Sequence, residues 1–419
     1  MLEIDLKYGR TSIPFKFDED RFTVLGDIPE GQALSDAAIG TKLDAPIGSD
    51  TVENIVHTSQ SVLIVVPDAT RDVGCGQVLN ILVRRLIASG VAPFNITIIF
   101  ATGIHRAVTE AEKIAILTPF IAQRIKTISH GPRDLMQIVS VGKTGSGIPV
   151  ELNRALFEQD NVVLIGGINF HYFAGFTGGR KLVCPGLASS KTIAATHKLA
   201  FDCERKDRRV DVGPGLLDGN AVHEAFLEAA SFAKPAFAVN TIVNSDGEIV
   251  DLVCGDWIVA HRAACDVYAA EHFVAITEKR DLVVVSCGGY PHDIDLIQAH
   301  KALDAASHAC TDGGTIILIA ECIDGVGRAD FLNWFEAANS DELAANLCNK
   351  YQVNGQTAWS LLRKAENYNI HIVCEIDEAT LKRLRLTGRK DLKSLNQPDA
   401  AGRKAYIIPN GGKFLIKSS

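Results

Sequence analysis

The stretch Asn161-Val-Val-Leu-Ile-Gly-Gly167 leads, after three residues, into His171-Tyr-Phe-Ala-Gly-Phe-Thr-Gly-Gly-Arg-Lys181. The first part is a short, continuous apolar run, as a strand buried on both faces requires. The second sets an imidazole, a glycine-rich turn and a lysine directly behind that strand, and a second imidazole, His197, follows. Open α/β folds bind ligands outside the carboxyl ends of their strands, so a polar cluster at this point marks a site. Glycines there let backbone approach a ligand closely. A lysine in such a turn serves either as a phosphate-binding point charge or as a nucleophilic amine.

Outward from this stretch the same unit recurs. Ser61-Val-Leu-Ile-Val-Val66 and Asn95-Ile-Thr-Ile-Ile-Phe100 read as buried strands. Between them Val78 to Ala88 has apolar residues on one helical face and is closed by Gly90. Helices are expected over 111–122 and 189–199, and a long one from Asp256 to His272. Residues 236–244 and 248–254 form a strand pair around Asn244-Ser-Asp-Gly247. A second series starts at Asp281-Leu-Val-Val-Val-Ser286, with a helix from Asp295 to about Cys310 and a strand over 314–320. Helices over 330–338, 340–348 and 356–365 and a strand over 370–374 follow. The tail, 405–416, has the pattern of a hairpin.

This alternation points to an α/β fold: two α/β domains with mainly parallel sheets and an interdomain active-site cleft. Residues 1–272 form the first domain, with the lysine and the histidines, and 273–394 form a second that closes the cleft. The tail from about 395 to 419 is expected to return to the first domain. A chain of 419 residues with 47% hydrophobic and 22% charged content is long enough for this. A net charge of −8 argues against a nucleic-acid partner. No apolar run approaches membrane-spanning length, and the N-terminus reads as an edge strand and turn without a signal-peptide core, so a cytoplasmic location is expected. The ten cysteines include no Cys-x-x-Cys pair, so reduced thiols are expected and structural zinc is not.

Four strand-end loops carry unusual chemistry: Pro67-Asp68-Ala-Thr-Arg71, Ala101-Thr-Gly-Ile-His105-Arg106, Asn169-Phe-His171 and Gly288-Gly-Tyr-Pro291, the last leading to Gln298 and Lys301. Parallel strands would bring Asp68, Arg71, His105, His171, Lys181 and His197 to one edge. His105 and His171 suit acid/base work at neutral pH, and two bases on opposite faces of one carbon are what stereochemical inversion needs. Arg71 and Lys301 suit a carboxylate. Taken singly, each has a structural reading: Asp68 as a turn cap, Arg71 in a surface ion pair, His105 as a helix cap. These residues alone do not identify the bond broken.

In these motifs, with Pro185-Gly186, His197 and Trp359 added, the chain resembles the nickel-dependent lactate racemase family. The resemblance implies racemisation or epimerisation of a 2-hydroxy acid. It also implies a nickel-pincer nucleotide, a pyridinium-3-thioamide-5-thiocarboxylic acid mononucleotide that holds nickel through carbon and two sulfurs. Lys181 would attach it covalently, and His197 would supply the protein ligand to nickel, to which imidazole is suited. His105 and His171 would be the opposed catalytic acid/bases. Asp68 and Trp359 would contact the cofactor, and Arg71, Gln298 and Lys301 the substrate. The α-hydrogen would leave as a hydride and return to the other face, which avoids a carbanion. Proteins that make the cofactor are implied as transient partners. The substrate expected is lactate-like or a short aliphatic 2-hydroxy acid; Ile297, where the lactate enzyme has a tyrosine, leaves apolar lining, departs from the lactate pattern and favours an aliphatic side chain.

Two other classes compete, besides a sugar-acid 2-epimerase of the same chemistry. A nicotinamide-dependent 2-hydroxyacid dehydrogenase would use His105, but no Gly-x-Gly-x-x-Gly turn opens a helix after the first strand. A non-catalytic anion- or nucleotide-binding protein would have no use for both histidines together with Lys181.

Overall fold

A computed structural model describes residues 1–26, 31–71, 73–396 and 403–418. The chain divides into two compact units. One comprises Glu30–Ala200 and Val210–Tyr268, the other Met1–Pro29, Phe201–Arg209 and Ala269–Ser419. Both are mixed α/β, and each is built on a mainly parallel sheet.

In the first unit the six-stranded sheet runs, in spatial order, Ile249–Gly255, Phe237–Val243, Asn161–Gly167, Val62–Pro67, Ile96–Ala101 and Lys126–Ser129. Only Ile249–Gly255 is antiparallel to its neighbour. Every residue of Val62–Pro67 is buried, because helices or loops cover both faces of a parallel sheet. The order reverses at this strand: the chain goes to Ile96–Ala101 on one side and later to Asn161–Gly167 on the other. Pro67 pairs with Ala101, so the loops carrying Asp68 and His105 leave the sheet side by side. That is the switch-point edge at which such folds bind ligands.

The helix Cys75–Ala88 buries Val78, Leu79, Leu82, Val83 and Leu86 on one face, the pattern read from the sequence. Each of the buried leucines contributes roughly 2 kcal/mol of burial. The helix Glu110–Arg124 starts with a capping box between Thr109 and Glu112, and Pro119 interrupts it, with Thr118 at φ 65°.

The second unit has a six-stranded parallel sheet in the order Thr387–Gly388, Asn369–Val373, Cys310–Ile319, Arg280–Ser286, Ala405–Ile408 and Phe22–Val24. This corrects the expected domain plan at both ends of the chain. The tail does not return to the first domain and is not a hairpin: Ala405–Ile408 pairs with Arg280–Ser286, and Leu415–Ser418 pairs with Phe273–Ile276, both parallel. The N-terminal hairpin Leu2–Tyr8/Thr11–Phe17 and the Phe22–Val24 strand also belong here, and Phe15, Phe17 and Phe22 pack as an aromatic cluster. The reason is edge satisfaction. Arg280–Ser286 needs a backbone partner on its free side, and the wholly buried Ala405–Ile408 supplies one.

Two further expectations change. Ala329–Glu336 is a 3-10 segment where an α-helix over 330–338 was expected. The cysteines are not all reduced: Cys203, on the short segment Phe201–Arg209, is disulfide-bonded to Cys348. Among the described residues, no helix is long and apolar enough to cross a membrane.

Candidate active site

Asp68 follows the central strand and is 5% exposed. Its Oδ1 accepts from the Thr70 backbone N–H at 3.0 Å and from the Thr70 hydroxyl at 2.6 Å. Its Oδ2 lies 2.7 Å from Nδ1 of His105. An ionised carboxylate only accepts, so Nδ1 carries the proton and Nε2 of His105 keeps its lone pair. Burial opposes the charge on Asp68, but the His105 hydrogen bond and charge, Thr70 and Arg71 outweigh it and hold the carboxyl down at about 2. Asp68, expected as a cofactor contact, therefore has both oxygens engaged with Thr70 and His105.

His105 is tied to the lysine turn through backbone. Gly103 donates its N–H to Gly186 O at 2.9 Å, and Gly186 donates to Lys181 O at 2.9 Å. The turn returns to its own strand through Thr177 Oγ1, which donates to Gly167 O at 2.7 Å. Gly175 sits at φ +77° with Leu216 O where a Cβ would go, so this tight reversal after His171 takes only glycine.

His171 pairs with Gly175 across that reversal and is buried. Its Nδ1 faces the N–H groups of Ala174 at 3.3 Å and Phe173 at 3.5 Å, which makes it an acceptor and puts the ring proton on Nε2. His105 and His171 thus hold opposite tautomers. One presents a lone pair at Nε2, the other an N–H.

Lys181 lies on the 3-10 turn Gly179–Leu182, its Nζ 5.5 Å from the Phe173 ring centre and 5.2 Å from that of Phe226. His197 is on the helix Ser190–Lys198, with its ring 5.0 Å from Phe173 and 5.3 Å from Phe226. Its Nδ1–H donates to Ile193 O at 2.8 Å, which leaves Nε2 as a donor atom for a metal. Burial, helped by the Lys181 charge, pushes this imidazole down to about 3, so it stays neutral. Among the described residues, no group of three or more His, Cys, Asp or Glu could hold a metal ion. His197 Nε2 is a single imidazole donor, so a metal held there would take its other ligands from a bound group.

Phe173 touches the rings of both His171 and His197 and borders Lys181. With Phe226 it forms an aromatic wall that sequence reasoning missed. Phe173 lay inside the quoted motif, but nothing in the motif distinguished a wall from core. Phe226 comes from a distant helix, Ala221–Ser231.

Gln298, Lys301 and Trp359 lie in the other unit. Lys301 Nζ donates to Gln298 Oε1 at 2.6 Å, one helical turn away on Leu296–Ala309. Trp359 is buried edge-on to Phe201, and its indole N–H has no hydrogen-bond partner among the described residues. The helices that carry these groups are linked by His300 Nε2 and Ser360 Oγ at 3.0 Å, and by a 2.7 Å ion pair between Lys364 and Asp304. Ile297 packs against this unit's apolar core.

Two family models match: the lactate racemase N-terminal domain over residues 8–208 and the lactate racemase C-terminal domain over 276–411. A lactate racemase of Lactiplantibacillus plantarum is 34% identical over 343 residues, which cover 79% of this chain and 77% of that protein. The chain belongs to the lactate racemase family. A second lactate racemase, of Thermoanaerobacterium thermosaccharolyticum, is 28% identical over the full length of both chains. The apoprotein structure of that organism's lactate racemase superposes with a TM-score of 0.89 at 28% identity, covering 99% of this chain and 100% of that one. A Thermotoga maritima protein shares the fold at a TM-score of 0.73 and 20% identity, over 94% of this chain and 100% of that one. Family membership makes this chain an isomerase.

Proposed function

We propose that this enzyme racemises a short 2-hydroxy acid, with lactate as the first candidate, using a nickel-pincer nucleotide joined to Lys181. The observation that carries the reading is the pair of histidines in opposite tautomers, His105 with a lone pair at Nε2 and His171 with an N–H there. Lactate comes from the relatives, both of them lactate racemases.

When bound, the cofactor would supply a reversible hydride acceptor for the α-hydrogen. The chain's own residues do the rest. His105 Nε2 takes the proton of the substrate hydroxyl, and Asp68 stabilises the imidazolium that forms. His171 holds the substrate oxygen through its Nε2–H. To serve as base for the other enantiomer it takes its other tautomer, with the proton on Nδ1 and the lone pair at Nε2, and the ring gives up the long contacts from the Phe173 and Ala174 N–H groups. By the family resemblance Arg71 and Lys301 would each serve the carboxylate, with Gln298 orienting Lys301, and the unpartnered Trp359 N–H would suit an acceptor on the cofactor. Phe173 and Phe226 keep water from the Lys181–His197 wall. The proteins that make the cofactor are transient partners, and the enzyme works in the cytoplasm.

The test is protein matured with the pincer-synthesis machinery and given each lactate enantiomer, with the other followed by chiral chromatography. Loss of racemisation in His105→Ala and His171→Ala is expected, with no net consumption of nicotinamide. A panel of 2-hydroxybutyrate, malate and gluconate fixes the side chain. Turnover of gluconate alone would overturn the lactate assignment.

A further inference from the structure

Arg180, next to Lys181 in sequence, points away from the chemistry described so far. It is 1% exposed. Its Nη2 donates to Ala174 O at 2.6 Å, and its Nη1 lies 2.8 Å from His261 Nε2. Its Nε has no partner, and among the described residues no carboxylate lies within 4 Å of it. Burial pushes the guanidinium down to about 10, which still leaves it charged at neutral pH. A buried charge without a counter-ion is costly, and native interiors pair such groups.

The surrounding groups do not compensate it. His261 Nε2 also lies 2.9 Å from Thr177 O, so one nitrogen faces both an N–H and a carbonyl and satisfies only one of them. Burial and the Arg180 charge keep His261 neutral. His223 is pushed down to about 3 by burial and by the Arg180 and Arg262 charges, and its Nδ1 is buried without a partner. Arg262 is already bound to Asp218 through contacts of 2.6 and 3.0 Å. Burial lifts the Cys265 thiol to about 12, so it supplies no thiolate.

A small, partly open pocket lies beside these groups. Arg180, Arg262, His223 and His261 line it, with Leu227 and Trp257 among its apolar residues. Its polar groups are the unpaired guanidinium of Arg180, the guanidinium of Arg262 already matched by Asp218, and two neutral imidazoles, and the rest of the wall is apolar. We propose that this pocket binds a small monovalent anion, chloride or a short carboxylate such as formate, as the counter-ion of Arg180. One unpaired buried charge calls for a monovalent ion, and the apolar wall disfavours a larger, strongly hydrated polyanion. The ion takes N–H groups of the Arg180 guanidinium that Ala174 and His261 leave over, and an N–H from His223. It uses no residue assigned to catalysis. It neutralises the base of the turn that carries Lys181, where Gly179 at φ +47° has no room for a Cβ against His261.

The test is direct. Crystals grown without halide are soaked in sodium bromide, and anomalous scattering locates the ion. Thermal unfolding is followed at fixed ionic strength as sodium isethionate is replaced by sodium chloride or by sodium formate, in the wild type, Arg180→Met and Leu227→Phe. The expected results are an anomalous peak at hydrogen-bond distance from the Arg180 guanidinium and a saturable rise in Tm with the small anion. Both variants should lose that rise, Arg180→Met by removing the charge and Leu227→Phe by filling the pocket. Chloride and formate curves that differ in midpoint identify the preferred ion. The proposal is overturned by a pocket holding only water, by a bromide peak without saturable stabilisation (binding at crystal concentration only), or by stabilisation that persists in both variants. If Arg180→Met does not fold, Leu227→Phe and the wild-type scattering decide.

Discussion

Replacing Asp68 by Asn keeps the shape of the side chain and removes its charge. In the native fold the carboxyl moves from an ordinary 3.8 to about 2. That displacement corresponds to about 2–3 kcal/mol of preference for the ionised form, hence roughly a 10²-fold loss if only that interaction disappears. The amide also presents either an N–H or a carbonyl to His105 Nδ1. With the N–H there, the ring takes the wrong tautomer, and the comparable change in a catalytic triad costs about 10⁴-fold. Asp68→Asn should therefore lower kcat for lactate racemisation by about 10²- to 10⁴-fold. KM and the mass of the Lys181 adduct should stay near wild type. The assay is chiral turnover normalised to loaded enzyme, with loading measured by denatured intact mass. If the variant loses the adduct but keeps wild-type turnover per loaded site, Asp68 is a cofactor contact and the base argument is refuted.

Three further outcomes are expected. Lys181→Ala should abolish the mass adduct and all racemisation, while His197→Ala should keep an adduct and lower the nickel-to-protein ratio; an adduct on Lys181→Ala places the attachment elsewhere. Stability should fall between pH 6.5 and 4, because His130, His197, His223 and His300 are held neutral with folded values of about 4, 3, 3 and 3. A depressed imidazole stabilises the fold above its unfolded value and loses that contribution as pH drops, at up to about 1.4 kcal/mol per histidine per pH unit; a flat Tm across this range contradicts it. Thr109→Ala removes one half of a capping box and should cost about 1 kcal/mol by denaturant unfolding, with no change in turnover.

Much of this chain was legible in its residues, because the information was local. Continuous apolar runs such as 62–66 and 162–165 declare buried strands, and the polar loops behind them declare the ligand edge, since a parallel sheet sends its carboxyl ends one way. The motif 171–181 carried the family resemblance through residue types that a purely structural turn does not need together. What tertiary structure alone decided was pairing at a distance. Ala405–Ile408 has no property that chooses a sheet; it joined Arg280–Ser286 because that strand had an open edge. Cys203 met Cys348 because a short segment after His197 crosses into the other unit. The tautomers of His105 and His171 depend on Asp68 Oδ2 and on the N–H groups of Phe173 and Ala174, each set to within a few tenths of an ångström by the fold. Composition and spacing supply the groups. Which lone pair faces the substrate is a matter of three-dimensional hydrogen bonding, and no one-dimensional pattern encodes it.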